Sequence, residues 1–184
     1  MRTQYYVASS LDGFIADSNN SLDWLLQFGE VAGERYERFL ANVGALAMGS
    51  TTYEWLLEHH LQLDSDSPQA WPYEQPTWVF SSRVLPRVEG ANLYFASGDV
   101  RPAYDKMAEV AGERNLWIVG GGKLAGQFYD RALLDEIIVS IAPVLLGDGV
   151  PLLPYRIARP PLVLREITPI TPFVELQYQV NYNE

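Results

Sequence analysis

Four short stretches carry residue types suited to holding a phosphate: Gly120-Gly121-Gly122-Lys123-Leu124, Gly49-Ser50-Thr51-Thr52, Ser81-Ser82-Arg83, and Ser9-Ser10 with Asp12. Glycine strips the backbone of Cβ atoms, so an anion can reach bare N–H groups. Hydroxyls donate further hydrogen bonds, and Lys or Arg offsets the charge. Gly120-x-Gly122-x-x-Ala125 matches the letter of the dinucleotide fingerprint. That fingerprint belongs to an early βαβ unit with an acidic residue about 20 positions on, whereas this one falls two-thirds of the way along the chain. A ligand-free glycine connection is the alternative. The Gly49 stretch also fits a capping box running to Glu54, which accounts for the same residues without a ligand.

Other polar groups have simpler readings available. Asp12-Gly13 between apolar residues is a hairpin-turn pattern. His59-His60 adjoin on a helix and so point in different directions, with no HExxH pattern or acidic partners, and no metal site is expected. Residues 17–33 are polar and irregular around Asp23-Trp24, which predicts a long loop of the kind that covers sites.

The elements that must place these groups follow from periodicity. Tyr5–Ser9, Gly44–Met48, Pro76–Phe80, Asn92–Ala96, Leu116–Val119 and Asp135–Ala142 read as strands. Helices are expected from Glu34, with Tyr36, Phe39, Leu40 and Val43 on one face, from about Ser50 to Glu58, from Val100 to Gly112, and from the triple glycine to Arg131. The stretch from Leu61 to Gln75 reads as a surface excursion. Leu162–Ile167 and Phe173–Val180 form an antiparallel hairpin at the sheet's end, since Val174, Leu176, Tyr178 and Val180 alternate with polar residues. Strands alternating with helices imply an α/β fold with a mostly parallel sheet of about eight strands covered on both faces. Ligands then bind beyond the carboxyl ends of the strands, where all four phosphate-suited stretches fall. That convergence points to an extended phosphate-bearing ligand such as a dinucleotide.

Composition narrows the classes. With 184 residues, 48% of them hydrophobic, the chain can bury a core as one domain. No run reaches the roughly 18 apolar residues of a membrane span, and the N-terminus lacks a signal peptide's apolar centre, so a soluble cytoplasmic protein is expected. The absence of cysteine excludes thiolate chemistry, and a net charge of −10 disfavours nucleic acid as a partner.

In order along the chain stand Ala8-Ser9-Ser10-Leu11-Asp12-Gly13, Asp23-Trp24-Leu25, Met48-Gly49 with Thr52-Tyr53-Glu54, Ser81-Ser82-Arg83, Ile118-Val119-Gly120-Gly121-Gly122, and Pro143 with Leu146-Gly147 and Gly149. This series resembles the dihydrofolate-reductase-like superfamily, with the nearest likeness to stand-alone relatives of the reductase domain in bifunctional riboflavin biosynthesis proteins. The resemblance implies a three-layer α/β/α domain over the whole chain, binding NADPH and reducing a C=N or C=O group of a pterin-, pyrimidine- or ribose-type substrate. A non-catalytic NADP(H)-binding protein on the same fold is the alternative. It implies NADPH phosphates at Gly49, Ser50, Thr51, Thr52 and at Gly120, Gly121, Gly122, Lys123, Leu124. Ser81, Ser82 and Arg83 would meet the adenosine and its 2′-phosphate, and the Ala8 backbone the nicotinamide amide. Asp12 would orient substrate or a proton-bearing water, Glu34 is the second candidate acid, and Asp23 and Trp24 would belong to a closing loop. A homodimer through the last hairpin is a further expectation. Ser50 stands where dihydrofolate reductases usually carry a basic residue, and Phe14 where the riboflavin-pathway reductases carry Lys.

Overall fold

The computed structural model describes residues 1–29, 33–62 and 67–182. Eight strands form one sheet: β1 (Thr3–Ser9), β3 (Val43–Gly49), β4 (Thr77–Phe80), β5 (Leu93–Ala96), β6 (Asn115–Gly120), β7 (Glu136–Ile141), β9 (Val163–Ile170) and β10 (Phe173–Gln179), in the order β5-β4-β3-β6-β1-β7-β10-β9. From β5 to β7 every pairing is parallel, and β10 pairs antiparallel with both β7 and β9. The alternation along 173–180 thus closes the sheet as the hairpin its period of two predicts.

Successive residues of a strand face opposite sides, and the core divides accordingly. Ala45 and Ala47 of β3, Tyr5 of β1 and Ile118 of β6 pack against α4 (Arg101–Ala111) and α5 (Gly122–Asp130), through Met107 and Phe128 among others. Leu46, Tyr6 and Trp117 face the other way, toward Tyr36, Phe39 and Leu40 of α2 (Gly33–Ala41). Met48 and Val79 pack with Tyr53 of α3 (Ser50–Trp55) and with Leu56 of the π-helical turn that continues it, Leu56–Leu61. Helices therefore cover both faces in three layers.

Several local expectations need correction. Asp12-Gly13 does form a turn, with Gly13 N–H donating to Ser10 O at 3.0 Å and Ser10 N–H to Phe14 O at 2.8 Å, but β2 (Phe14–Ala16) is no sheet partner of β1; it pairs with β8 (Val150–Pro151) in a small second sheet. The turn is drawn there because the Asp12 carboxylate accepts from the Leu146 and Gly147 N–H groups, at 3.1 and 2.7 Å. No capping box forms on α3. Its N-cap is Gly49 with no side-chain hydrogen bond, and Glu54 turns outward to pair with Arg83. The described part of the 61–75 stretch is more than a surface excursion: Trp71 packs against Tyr53, and Tyr73 lies edge-on to Trp117 with ring centroids 5.7 Å apart. Within 17–33, residues 30–32 lie outside the described structure, and Asp23–Leu26 forms a single helical turn, α1.

Candidate active site

Parallel pairing brings the carboxyl ends of β1, β3, β4 and β6 to one rim, with Gly49 opposite Phe80 and Met48 opposite Gly120. A cavity of about 470 Å³ opens there, lined by Gly49, Ser50, Thr51 and Thr52 on one side and Gly120, Gly121, Gly122, Lys123 and Leu124 on the other. Gly121 at φ +89° caps α5 without a side-chain hydrogen bond, as Gly49 caps α3. The first-turn N–H groups of both helices therefore lack a side-chain acceptor at the N-cap, and helix dipoles favour an anion between them. The glycines serve different ends. A Cβ on Gly122 would stand 2.2 Å from the Leu152 carbonyl oxygen, so its bareness lets the 152 segment close. A Cβ on Gly49 would meet nothing within 4 Å, so its bareness leaves the cavity open. These walls, with exposed Lys123 at the mouth, fit a pyrophosphate.

A second cavity of about 440 Å³ adjoins the first, and Val7, Ile15, Leu22, Thr52, Trp55 and Val119 line both. Its remaining wall is largely aromatic and aliphatic: Tyr6, Tyr36, Tyr73, Trp117, Phe173, Leu25 and Leu26, with Ala8 and Ser140 at the β1–β7 floor. Beside that floor, on the same face of the sheet, lies a buried polar cluster. Glu175, 2% exposed, accepts from Tyr6 Oη at 2.6 Å, Ser140 Oγ at 3.1 Å and Arg35 Nε at 2.7 Å. Burial pushes the Tyr6 phenol well above its ordinary pKa, reinforced by the hydrogen bond to Glu175, so it stays protonated.

The residues proposed as acids do not reach either cavity. Asp12 is bound to Ser10 Oγ at 2.6 Å and to the two backbone amides, and these bonds, Ser10 first, hold its carboxyl below the usual carboxylate range. It is an ionised clamp between two loops rather than a proton carrier at neutral pH. Glu34 sits exposed in the first turn of α2 and lines neither cavity. Asp23 is exposed, and Trp24 is buried with Ala142 and Phe173 as an anchor. Their neighbours Leu22, Leu25 and Leu26 are the ones that line the apolar cavity. Ser81, Ser82 and Arg83 follow β4 on the same rim but outside both cavities. Ser81 Oγ accepts from the Arg83 N–H at 2.9 Å, and the Arg83 guanidinium is engaged by Glu54 at 2.7 and 2.8 Å. His59 stacks on Trp55 with ring centroids 4.9 Å apart.

Sequence reading did not single out Tyr6, Tyr36, Trp55, Tyr73, Trp117, Ser140 or Phe173 as site residues. Aromatic side chains at core spacing look alike whether they fill a core or line a cavity.

The sequence model of the RibD C-terminal domain matches residues 3–172. The chain belongs to the RibD C-terminal domain family. Over 151 residues it is 30% identical to the uncharacterized protein YwjB of Bacillus subtilis, covering 82% of each chain. It is 28% identical over 182 residues to the riboflavin biosynthesis protein RibD of Haemophilus influenzae, covering 79% of this chain and 48% of that one. Among solved structures, a Shewanella protein whose own assignment to riboflavin biosynthesis is provisional superposes with a TM-score of 0.76 at 26% identity, covering 97% of this chain and 98% of that one. No helix among the described residues is long and apolar enough to cross a membrane.

Proposed function

We propose that the protein is an NADPH-dependent reductase that passes a hydride to a C=N or C=O carbon of a small molecule seated in the apolar cavity. The observation that carries this is the shared wall, because Val7, Thr52, Trp55 and Val119 border both cavities and a ligand in one would abut a ligand in the other. Bound there, the reduced nicotinamide would supply the hydride. The first turns of α3 and α5 and Lys123 would hold the pyrophosphate, Gly49 and Gly121 would leave it room, and the Ala8 backbone would face the nicotinamide. Leu22, Leu25 and Leu26 would keep bulk solvent, though not a single ordered water, from the reacting groups. Arg83 would turn from Glu54 to the 2′-phosphate. With Asp12 and Glu34 off the cavity walls, the substrate's proton would come from water.

Calorimetric titration with NADPH and NADH tests the cofactor. Tighter binding of NADPH is expected, with Arg83→Ala narrowing the preference roughly tenfold, the scale of one charge-assisted contact. Failure of both nucleotides to bind would end the reading. Because Asp12 and Glu34 lie off both cavities, a non-catalytic NADP(H)-binding protein is the second reading. NADPH binding without oxidation across pterin, folate, pyrimidine-ribose and neutral carbonyl substrates would favour it. A homodimer through β9 is also proposed, supported by exposed Leu164 and Ile167 at 45% and 58%. Light scattering of Ile167→Glu beside the unmodified chain checks it.

A further inference from the structure

We propose that the apolar cavity selects an uncharged, planar, largely apolar substrate that donates a hydrogen bond at the Ser140 end, an inference that rests on the reductase reading of the same cavity. Among the described residues, none lining this cavity is Asp, Glu, Lys, Arg or His. The neighbouring cations are committed elsewhere. Arg35 is held by Glu175 at 2.7 Å and approaches Glu166 at 3.4 Å, and Lys123 opens on the glycine-lined cavity. A phosphate or carboxylate entering among Trp55, Trp117, Tyr73 and Phe173 would lose its hydration with no cationic side chain among the described lining residues to offset its charge. A flat, uncharged ring system loses little and gains aromatic contact, and a cavity of about 440 Å³ is of small-ligand size.

Hydrogen-bond direction refines the class. Ser140 Oγ and Tyr6 Oη both donate to the same oxygen, Oε2 of Glu175, whose other oxygen accepts from Arg35 Nε. A hydroxyl has one proton, and here each is already engaged, so only lone pairs remain for a ligand. The floor therefore accepts hydrogen bonds, and an N–H or O–H on the substrate satisfies it.

Three matched probes separate these requirements by calorimetry: 1-naphthol, 1-methoxynaphthalene and 1-naphthyl phosphate, each titrated into the full chain with and without NADPH. Expected is binding of 1-naphthol about tenfold or more tighter than the other two, the scale of one unsatisfied group or one unpaired charge. Ser140→Ala should bring 1-naphthol down to the level of 1-methoxynaphthalene and leave the latter unchanged. Leu26→Arg, at an exposed position on the cavity mouth, should strengthen 1-naphthyl phosphate severalfold. Equal or tighter binding of 1-naphthyl phosphate by the unmodified chain, or no loss of 1-naphthol affinity in Ser140→Ala, overturns the proposal. Should NADPH fail to bind while 1-naphthol remains preferred, the reductase reading fails and the cavity's selectivity stands.

Discussion

Gly49 and Gly122 sit on opposite walls of one cavity, yet an added methyl group should read out differently at each. At Gly122 it would strike the Leu152 carbonyl oxygen at 2.2 Å. Backbone cannot step aside cheaply, so Gly122→Ala should destabilise the fold by about 1–3 kcal/mol in denaturant titration. Gly49 has an ordinary φ of −78° and open space around its missing Cβ. Gly49→Ala should leave stability within about 0.5 kcal/mol and weaken NADPH roughly tenfold, since the methyl stands where the pyrophosphate would approach the backbone. Asp12 makes a prediction in pH. Its folded pKa is depressed by Ser10 and the backbone amides of Gly147 and Leu146, so its contribution to stability is present above the unfolded carboxylate value, about 3.9, and is lost as pH falls through the lower folded value. The melting-temperature gap between Asp12→Asn and the unmodified chain should close on acidification below that range. A gap independent of pH would mean that charge is not what ties the two loops.

The buried cluster around Glu175 joins three elements: Tyr6 on β1, Ser140 on β7 and Arg35 on α2 all meet a carboxylate carried by β10. Glu175→Gln keeps the shape, removes the charge facing Arg35 and forces an amide donor toward groups that need an acceptor. A loss of about 1–3 kcal/mol is expected by chemical denaturation. A change below about 0.5 kcal/mol would show that the cluster does not hold β10 to the sheet. Elements were legible where one periodicity dominated: β10's alternation and the apolar face of α2 both appear in sequence and in structure, except that Val43, read on that face, opens β3 instead. The tie from the Asp12 carboxylate to the loop through Leu146 and Gly147 was not, because that loop lies 134 and 135 residues away. Nor was the missing cap on α3, since Thr51 and Glu54 satisfy the pattern locally while Arg83 draws the glutamate outward.

At the scale of the whole molecule, a net charge of −10 opposes the approach of a polyanionic dinucleotide. Screening shortens that repulsion, with a Debye length of about 10 Å at 0.1 M ionic strength. The association rate of NADPH in stopped-flow fluorescence should therefore rise with salt, and a falling rate would mean that Lys123 and Arg83 dominate the local field.

Local patterns in the chain were enough to specify the layered α/β fold and the single rim. Strand-glycine-helix units and a final alternating hairpin are local patterns, and parallel pairing from β5 to β7 sends the carboxyl ends of those six strands the same way. Which groups face the ligand space was set by long-range packing. It placed Asp12 and Glu34 away from both cavities, and it gathered Tyr6, Tyr36, Tyr73, Trp117 and Phe173 around one apolar chamber. Periodicity tells which face of an element is apolar. Whether that face meets another side chain or a space shaped for a ligand depends on elements far apart in the chain.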